Sequence, residues 1–320
     1  MRPTSQPEPR VAAVVATFLR DRELDRLFGC LAASEVPVAS VCVADNASSE
    51  STRQLCTSRG ARWLAQTTNR GPGAAWNAAL SSALEDPEIT HLLVLDDDVT
   101  PPPQTLGRLI EALEVSRAGA AAPLLFDAGN ELWAFPEPQE KSLRAAIRRV
   151  HTPEECLSAL GVAPHPFCWA TGACMLYRRE VFAHGERFRD DFWMLGEDLE
   201  FSMRAASVRG GVFTARATVP HLPPPQDPRS AATGHREKFL ALLQNLSFLA
   251  FHSPHSAHLR TYLPGNFRRY LRTEGFTPGT VWDGWRAFWH GAVAREPAGA
   301  ASGVQIRARA RQRMTGDKNS

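Results

Sequence analysis

Residues 91–103 read HLLVLDDDVTPPP: an apolar run goes straight into three carboxylates and then three prolines. A short apolar stretch closed by turn-forming residues reads as a buried strand. Asp96, Asp97 and Asp98 repel one another, so the run is either a solvated turn or a place where positive charge is awaited. In a strand, residues two apart point to the same side. Asp96 and Asp98 are therefore expected to aim together beyond the strand's C-terminal end. Open α/β sheets bind ligands at that edge. An oxygen-only pair suits a hard divalent cation, Mg2+ or Mn2+, of the kind that bridges diphosphate oxygens.

The segments before it alternate in type. RVAAVVATF (10–18) and VASVCVADNAS (38–48) read as strands, the second stopping in a turn-forming Asp-Asn-Ala-Ser. Between them, DRELDRLFGCLAAS places Leu24, Leu27, Phe28 and Leu31 at helical spacing. A helix near 50–58, a short strand near RWLAQ and a loop opening into a helix over 69–84 lead to the strand at 91. This alternation predicts an α/β domain with a mainly parallel sheet. Further on, a helix after 105 leads to a strand in AAAPLLFD, and 127–168 reads as irregular with short helices. CWATGACMLYRREVF gives a strand and a helix start, GEDLEFSMRAASVRG a helix, and GVFTARATVPHLPPP a last strand. Beyond it the pattern turns helical.

Composition excludes some classes. With 320 residues, 43% of them hydrophobic and 22% charged, the chain reads as globular, and a net charge of +2 does not point to nucleic acid. The six cysteines show neither C-x-x-C nor zinc spacing and read as small hydrophobes of a reducing compartment. No run is long enough to span a membrane. VAAVVATFL near the N-terminus is a buried strand by this reading, not a signal peptide, and the expected location is cytoplasmic.

Three further features bear on chemistry. NRGPGAAWNAAL (69–80) offers a tight glycine turn before a helix N-terminus, a place for negative charge, though Asn69 as a simple helix cap is the plainer reading. It matches neither G-x-G-x-x-G nor a P-loop. WMLGEDLEFSMRAASVRG (193–210) brings Glu197 and Asp198 to a helix start. Acids there suit the helix dipole, and Glu200 with Arg204 is an ordinary i,i+4 pair. A second acidic cluster after an aromatic stretch and a glycine exceeds what that explains. His221 closes the last strand, either as a structural hydrogen-bonder or as a nitrogen ligand beside the Asp pair.

Taken in order, VVATFLR, VCVADNAS, NRGPGAAWN, LLVLDDDV, WATGACMLYRREVF, GEDLEFSMR and His221 resemble the family-2 glycosyltransferases of GT-A fold, with bacterial rhamnosyl- and galactofuranosyltransferase-like members nearest. The resemblance covers roughly 11–225. It implies that Thr17, Phe18 and Arg20 line a nucleotide pocket, that Asp45 contacts base or ribose, and that Asn69 sits by the donor. It implies further that Asp96 and Asp98 hold Mn2+ or Mg2+ on the donor diphosphate, that Asp97 faces sugar or ribose, and that His221 is a third metal ligand. Asp198 would be the catalytic base with Glu197 beside it, and Trp169, Thr171 and Trp193 would border the acceptor. The first motif departs from the family, reading TFLR where many members have an aromatic residue followed by Asn-Arg.

The implied activity is metal-dependent, inverting transfer from a nucleoside-diphosphate sugar, with UDP or dTDP as nucleotide, to a glycan or lipid-linked acceptor. A nucleotidyltransferase is the competing enzyme, but its basic Gly-rich first loop is absent from ATFLRDREL. A catalytically inactive sugar-nucleotide-binding protein is the competing non-enzyme. The expected organisation is a disordered 1–10, a GT-A domain over 11–225, a helical region over 226–296 and a flexible basic tail over 297–320. Trp282, Trp285, Phe288 and Trp289 recur at helical spacing with Arg268, Arg269, Arg272 and Arg286 nearby, a pattern that fits peripheral membrane contact. Packing of those rings on the catalytic domain or on a second subunit of a homo-oligomer is the alternative.

Overall fold

The structure, a computed structural model, describes residues 8–224, 235–253, 257–295 and 297. The expected disordered start (1–10) and basic tail (297–320) lie almost wholly outside the described residues. The chain divides into two compact units. Unit 1, 1–68 with 75–187 and 205–223, contains every strand among the described residues. Its elements are β1 (Val11–Thr17), α1 (Asp21–Ala32), β2 (Val38–Asp45), α2 (Glu50–Ser58), β3 (Arg62–Ala65), most of α3 (Pro72–Ala83), β4 (His91–Asp96), α4 (Thr105–Ser116) and β5 (Ala120–Phe126). There follow β6 (Leu132–Ala134), β7 (Glu137–Pro138), α5 (Lys141–Ile147), α6 (Pro153–Leu160), β8 (His165–Trp169), β9 (Cys174–Arg178), the end of α7 (Glu197–Arg209) and β10 (Gly211–Pro220).

The sheet order is β3-β2-β1-β4-β9-β5-β10-β8-β7, with β6 beside β5. β3, β2, β1 and β4 are parallel, as the alternating sequence predicts. β9 then enters antiparallel between β4 and β5, so the sheet is mixed. β1 and β5 are buried at every position, as strands covered on both faces must be. α1 lays Leu24, Leu27, Phe28 and Leu31 on this core. All six cysteines are free, and burial pushes the Cys56 and Cys174 thiols up to about 12, which leaves them unreactive.

Unit 2 comprises 69–74, 188–204 and the chain from 224 on. Its helices are α8 (His235–His252), α9 (Leu263–Glu274) and α10 (Pro278–Ala292). A division at residue 225 differs from this grouping because α8 is bound to the segment before α7. The Asn245 amide donates to the carbonyls of Met194 (3.1 Å) and Leu195 (2.8 Å). Phe192 meets Phe248 edge to face, and the Arg189 guanidinium lies over both rings.

Candidate active site

The parallel strands bring their C-terminal ends to one edge of unit 1. Thr17 pairs with Asp45, and Ala16 with Asp96. β4 ends at Asp96, and Asp97 and Asp98 form a turn beyond it. The two-residue strand period is thus not what unites Asp96 with Asp98. The turn does so, anchored by a bridge between Val99 and His221 and by the Leu222 N–H donating to the Asp98 carbonyl at 2.8 Å. A ligand atom from each of Asp96, Asp98 and His221 lies within 4.8 Å of the others.

A positive charge already stands among these acids. Arg20 Nη1 donates to Asp97 Oδ1 (2.8 Å) and Asp98 Oδ2 (2.5 Å), and Thr17 Oγ1 donates to Asp97 Oδ2 (2.8 Å). Leu19 at φ 55 turns the chain so that Arg20 folds inward, where it is 1% exposed. Arg20, expected to line a nucleotide pocket, and Asp97, expected to face sugar or ribose, are paired with each other inside the fold. Asp98 has its other oxygen 3.2 Å from His221 Nε2. Two carboxylates and an imidazole fit Mn2+ and, through the oxygens, Mg2+.

Asp45 closes β2 beside Thr17. Its carboxylate accepts the N–H groups of Ala47 (2.8 Å) and Ser49 (2.7 Å) and the Trp63 indole N–H (3.2 Å). It is fully buried and organises the entry to α2. Phe18 is buried, while Trp169 and Thr171 are half-buried in unit 1. Sequence reading missed Trp133. Its indole stacks on the His221 ring with centroids 4.1 Å and planes 14° apart, and it remains 49% exposed. It sits in the three-residue β6, too short to show any period.

Unit 2 unites the other two sequence features. Asn69 Oδ1 accepts the Gly71 N–H at 2.9 Å, a turn ahead of α3 rather than its cap. Gly71 has φ +87, and a Cβ there would stand 1.8 Å from the Trp193 carbonyl oxygen, so only glycine fits. Gly73 likewise abuts the Arg189 carbonyl and the Glu197 side chain. Glu197 is buried and Asp198 half-buried at the start of α7. Asp198 Oδ1 accepts the Leu199 N–H at 2.7 Å. Trp193, expected to border an acceptor, is buried with only 4% exposure.

Residues 12–185, more than half of the chain, match the model of the family described as Glycosyl transferase family 2. The N-acetylglucosaminyl-diphospho-decaprenol L-rhamnosyltransferase of Mycobacterium tuberculosis is 27% identical over 211 residues, which span 60% of this chain and 68% of that protein. In shape, the crystal structure of S. aureus TarS 1-349 superposes with a TM-score of 0.57 at 17% identity, covering 96% of this chain and 88% of that one. The same TarS fragment in complex with UDP-GlcNAc gives a TM-score of 0.59 at 17% identity, with the same coverage. The mixed sheet with flanking helices is the GT-A fold of these structures.

Proposed function

The chain belongs to glycosyl transferase family 2 and is a glycosyltransferase, and on that premise we propose that it uses a UDP- or dTDP-sugar in a metal-dependent single displacement that inverts the anomeric carbon. The observation that carries the metal-dependent reading is the convergence of Asp96, Asp98 and His221 at the edge where parallel strands end. Mn2+ or Mg2+ held there would offset the charge that grows on the diphosphate leaving group. Arg20 fixes Asp97 and one oxygen of Asp98, so the other oxygen of Asp98 faces His221. The acceptor hydroxyl loses its proton as it attacks, and we assign that proton to Asp198, with Glu197 as its neighbour at the start of α7. The name of the mycobacterial relative supports a hexose donor and a polyprenyl-diphosphate-linked acceptor.

Four measurements test this reading. Calorimetry of UDP or dTDP binding, with Mn2+ and with EDTA, is expected to show affinity lost on chelation and in Asp98→Ala. Unchanged affinity in both would remove the metal role. Asp198→Asn keeps the size and the capping geometry but cannot take a proton. Its turnover is expected to fall by about two to four orders of magnitude with donor affinity unchanged. Near-normal turnover would show that Asp198 only accepts the Leu199 N–H at the start of α7, which the Asn side-chain oxygen also does. A retained configuration in the product, read by NMR, would overturn the single displacement. Metal-dependent hydrolysis of the sugar nucleotide separates an active enzyme from a protein that only binds it.

A further inference from the structure

α10 is built inside out. Its buried positions are Thr280, Gly284, Ala287 and Gly291. A Cβ on Gly291 would stand 2.1 Å from the Gln244 carbonyl oxygen of α8, and one on Gly284 would stand 2.7 Å from the Phe267 ring of α9. The small residues thus let three helices close on one another. At about 3.6 residues per turn, Trp282, Trp285 and Trp289 fall on the opposite side. They are 59%, 47% and 40% exposed, and the first two stack with ring centroids 5.3 Å apart. Glycine to the core and tryptophan to solvent reverses ordinary burial. A continuous exposed aromatic patch marks a contact surface.

We propose that this outward face of α10 docks on an anionic lipid bilayer, a role beyond the transfer reaction above. The charge carried by α9 and α10 selects this occupant. Arg286 is exposed beside the tryptophans, and Arg268, Arg269 and Arg272 are exposed on α9. The acids of these two helices are Glu274 and Asp283, and Asp283 is paired with Arg236. The sequence over 297–320 carries Arg307, Arg309, Arg311, Arg313 and Lys318 against Asp317 alone. Indole rings settle at the headgroup level, where the ring is shielded and the N–H stays wet. Arginine draws anionic headgroups. An aromatic face together with the exposed arginines of α9 and α10 supplies the two signals that stable interfacial binding requires. No described helix is long and apolar enough to cross a membrane, so the contact is with the bilayer surface.

The test is flotation of the full chain with phosphatidylcholine vesicles, with and without phosphatidylglycerol. The wild type is expected to float with the anionic vesicles at low salt and to be released at high salt. Brominated acyl chains are expected to quench its tryptophan emission, which reads indole insertion with no substitution made. The triple variant Trp282→Ser, Trp285→Ser, Trp289→Ser is expected to lose binding by about tenfold or more while keeping its circular dichroism and melting midpoint, because these side chains fill no core. Failure of the wild type to float at low salt, absence of quenching, or flotation of the triple variant at wild-type levels would each overturn the proposal. So would a concentration-dependent dimer in light scattering that the triple variant abolishes, which would assign the face to a second copy of the chain.

Discussion

Three consecutive carboxylates are tolerable only where their repulsion is met, and Arg20 meets much of it. A guanidinium bound to two carboxylates in a site closed to water is costly to desolvate, and removing one partner leaves the others as uncompensated buried charge. Arg20→Met is therefore expected to lower unfolding free energy by about 3–5 kcal/mol in urea titrations. The same variant tests the metal reading from another side. With its internal cation gone, the Asp cluster is more negative, so Mn2+ is expected to raise the melting midpoint of Arg20→Met more than that of the wild type. An equal rise in both proteins would show that the cation binds away from these acids. Arg20→Lys is not a neutral swap, because a compact, strongly hydrated ammonium on a flexible stem costs more to bury between Asp97 and Asp98 than the planar guanidinium whose Nη1 meets both.

β4 carries a second consequence at its other end. His91 opens the strand at 4% exposure, with Nδ1 2.8 Å from the Thr90 hydroxyl. Burial, and then the charge of Arg178, pushes its pKa down to about 4, with Glu114 and Glu180 opposing. Above pH 6.5 the ring is neutral in both folded and unfolded chains and contributes nothing to pH dependence. Between 6.5 and 4 the unfolded chain takes up the proton and the folded chain does not, so stability falls as pH falls, by about 3 kcal/mol at the lower limit. His91→Gln removes this titration. The stability of the variant relative to wild type is expected to improve steadily from pH 6.5 to 4, and a difference that stays flat would refute the assignment. Elements of this kind were legible in the sequence because their own patterns define them: the apolar run of β4, and the helical spacing of Leu24, Leu27, Phe28 and Leu31 in α1. The grouping of Asp96, Asp98 and His221 was anticipated too, through the motif and not through the strand period first invoked for it. The antiparallel entry of β9 was not legible, since a strand's apolar run is the same in either direction. β6 and β7, of three and two residues, are too short to show a period, and Trp133 was lost with them. The partners of Asp45 and Asp97 were not legible, because sequence shows a carboxylate but not the N–H groups or guanidinium that meet it.

At the scale of the whole molecule, the C-terminal helices are not an appendage added after the last strand. Besides the Phe192–Phe248 contact, α8 reaches the segment that opens α7 through a fully buried side chain, Asn245, whose amide holds the carbonyls of Met194 and Leu195. Those carbonyls belong to a strained turn. Leu195 sits at φ 67 and Gly196 at φ 110, directly before Glu197 and Asp198. A left-handed leucine costs about 1–2 kcal/mol, which the surrounding contacts must offset. Asn245→Ala deletes both hydrogen bonds and is expected to lower stability by about 1–3 kcal/mol. Its larger effect is expected on turnover. If Asp198 is the base, a small relaxation of this turn displaces it, and a misplacement near 1 Å can cost about a hundredfold in rate. Affinity for the nucleotide with Mn2+ is expected to remain at the wild-type value. Hydrogen exchange of the backbone amides over 194–200 is expected to quicken in the variant. Asn245→Asp keeps the shape but offers the two carbonyls an acceptor instead of a donor, so it is expected to be no better than alanine. Wild-type turnover in Asn245→Ala, measured well below its melting midpoint, would show that α8 supports only stability and that the start of α7 holds its position unaided.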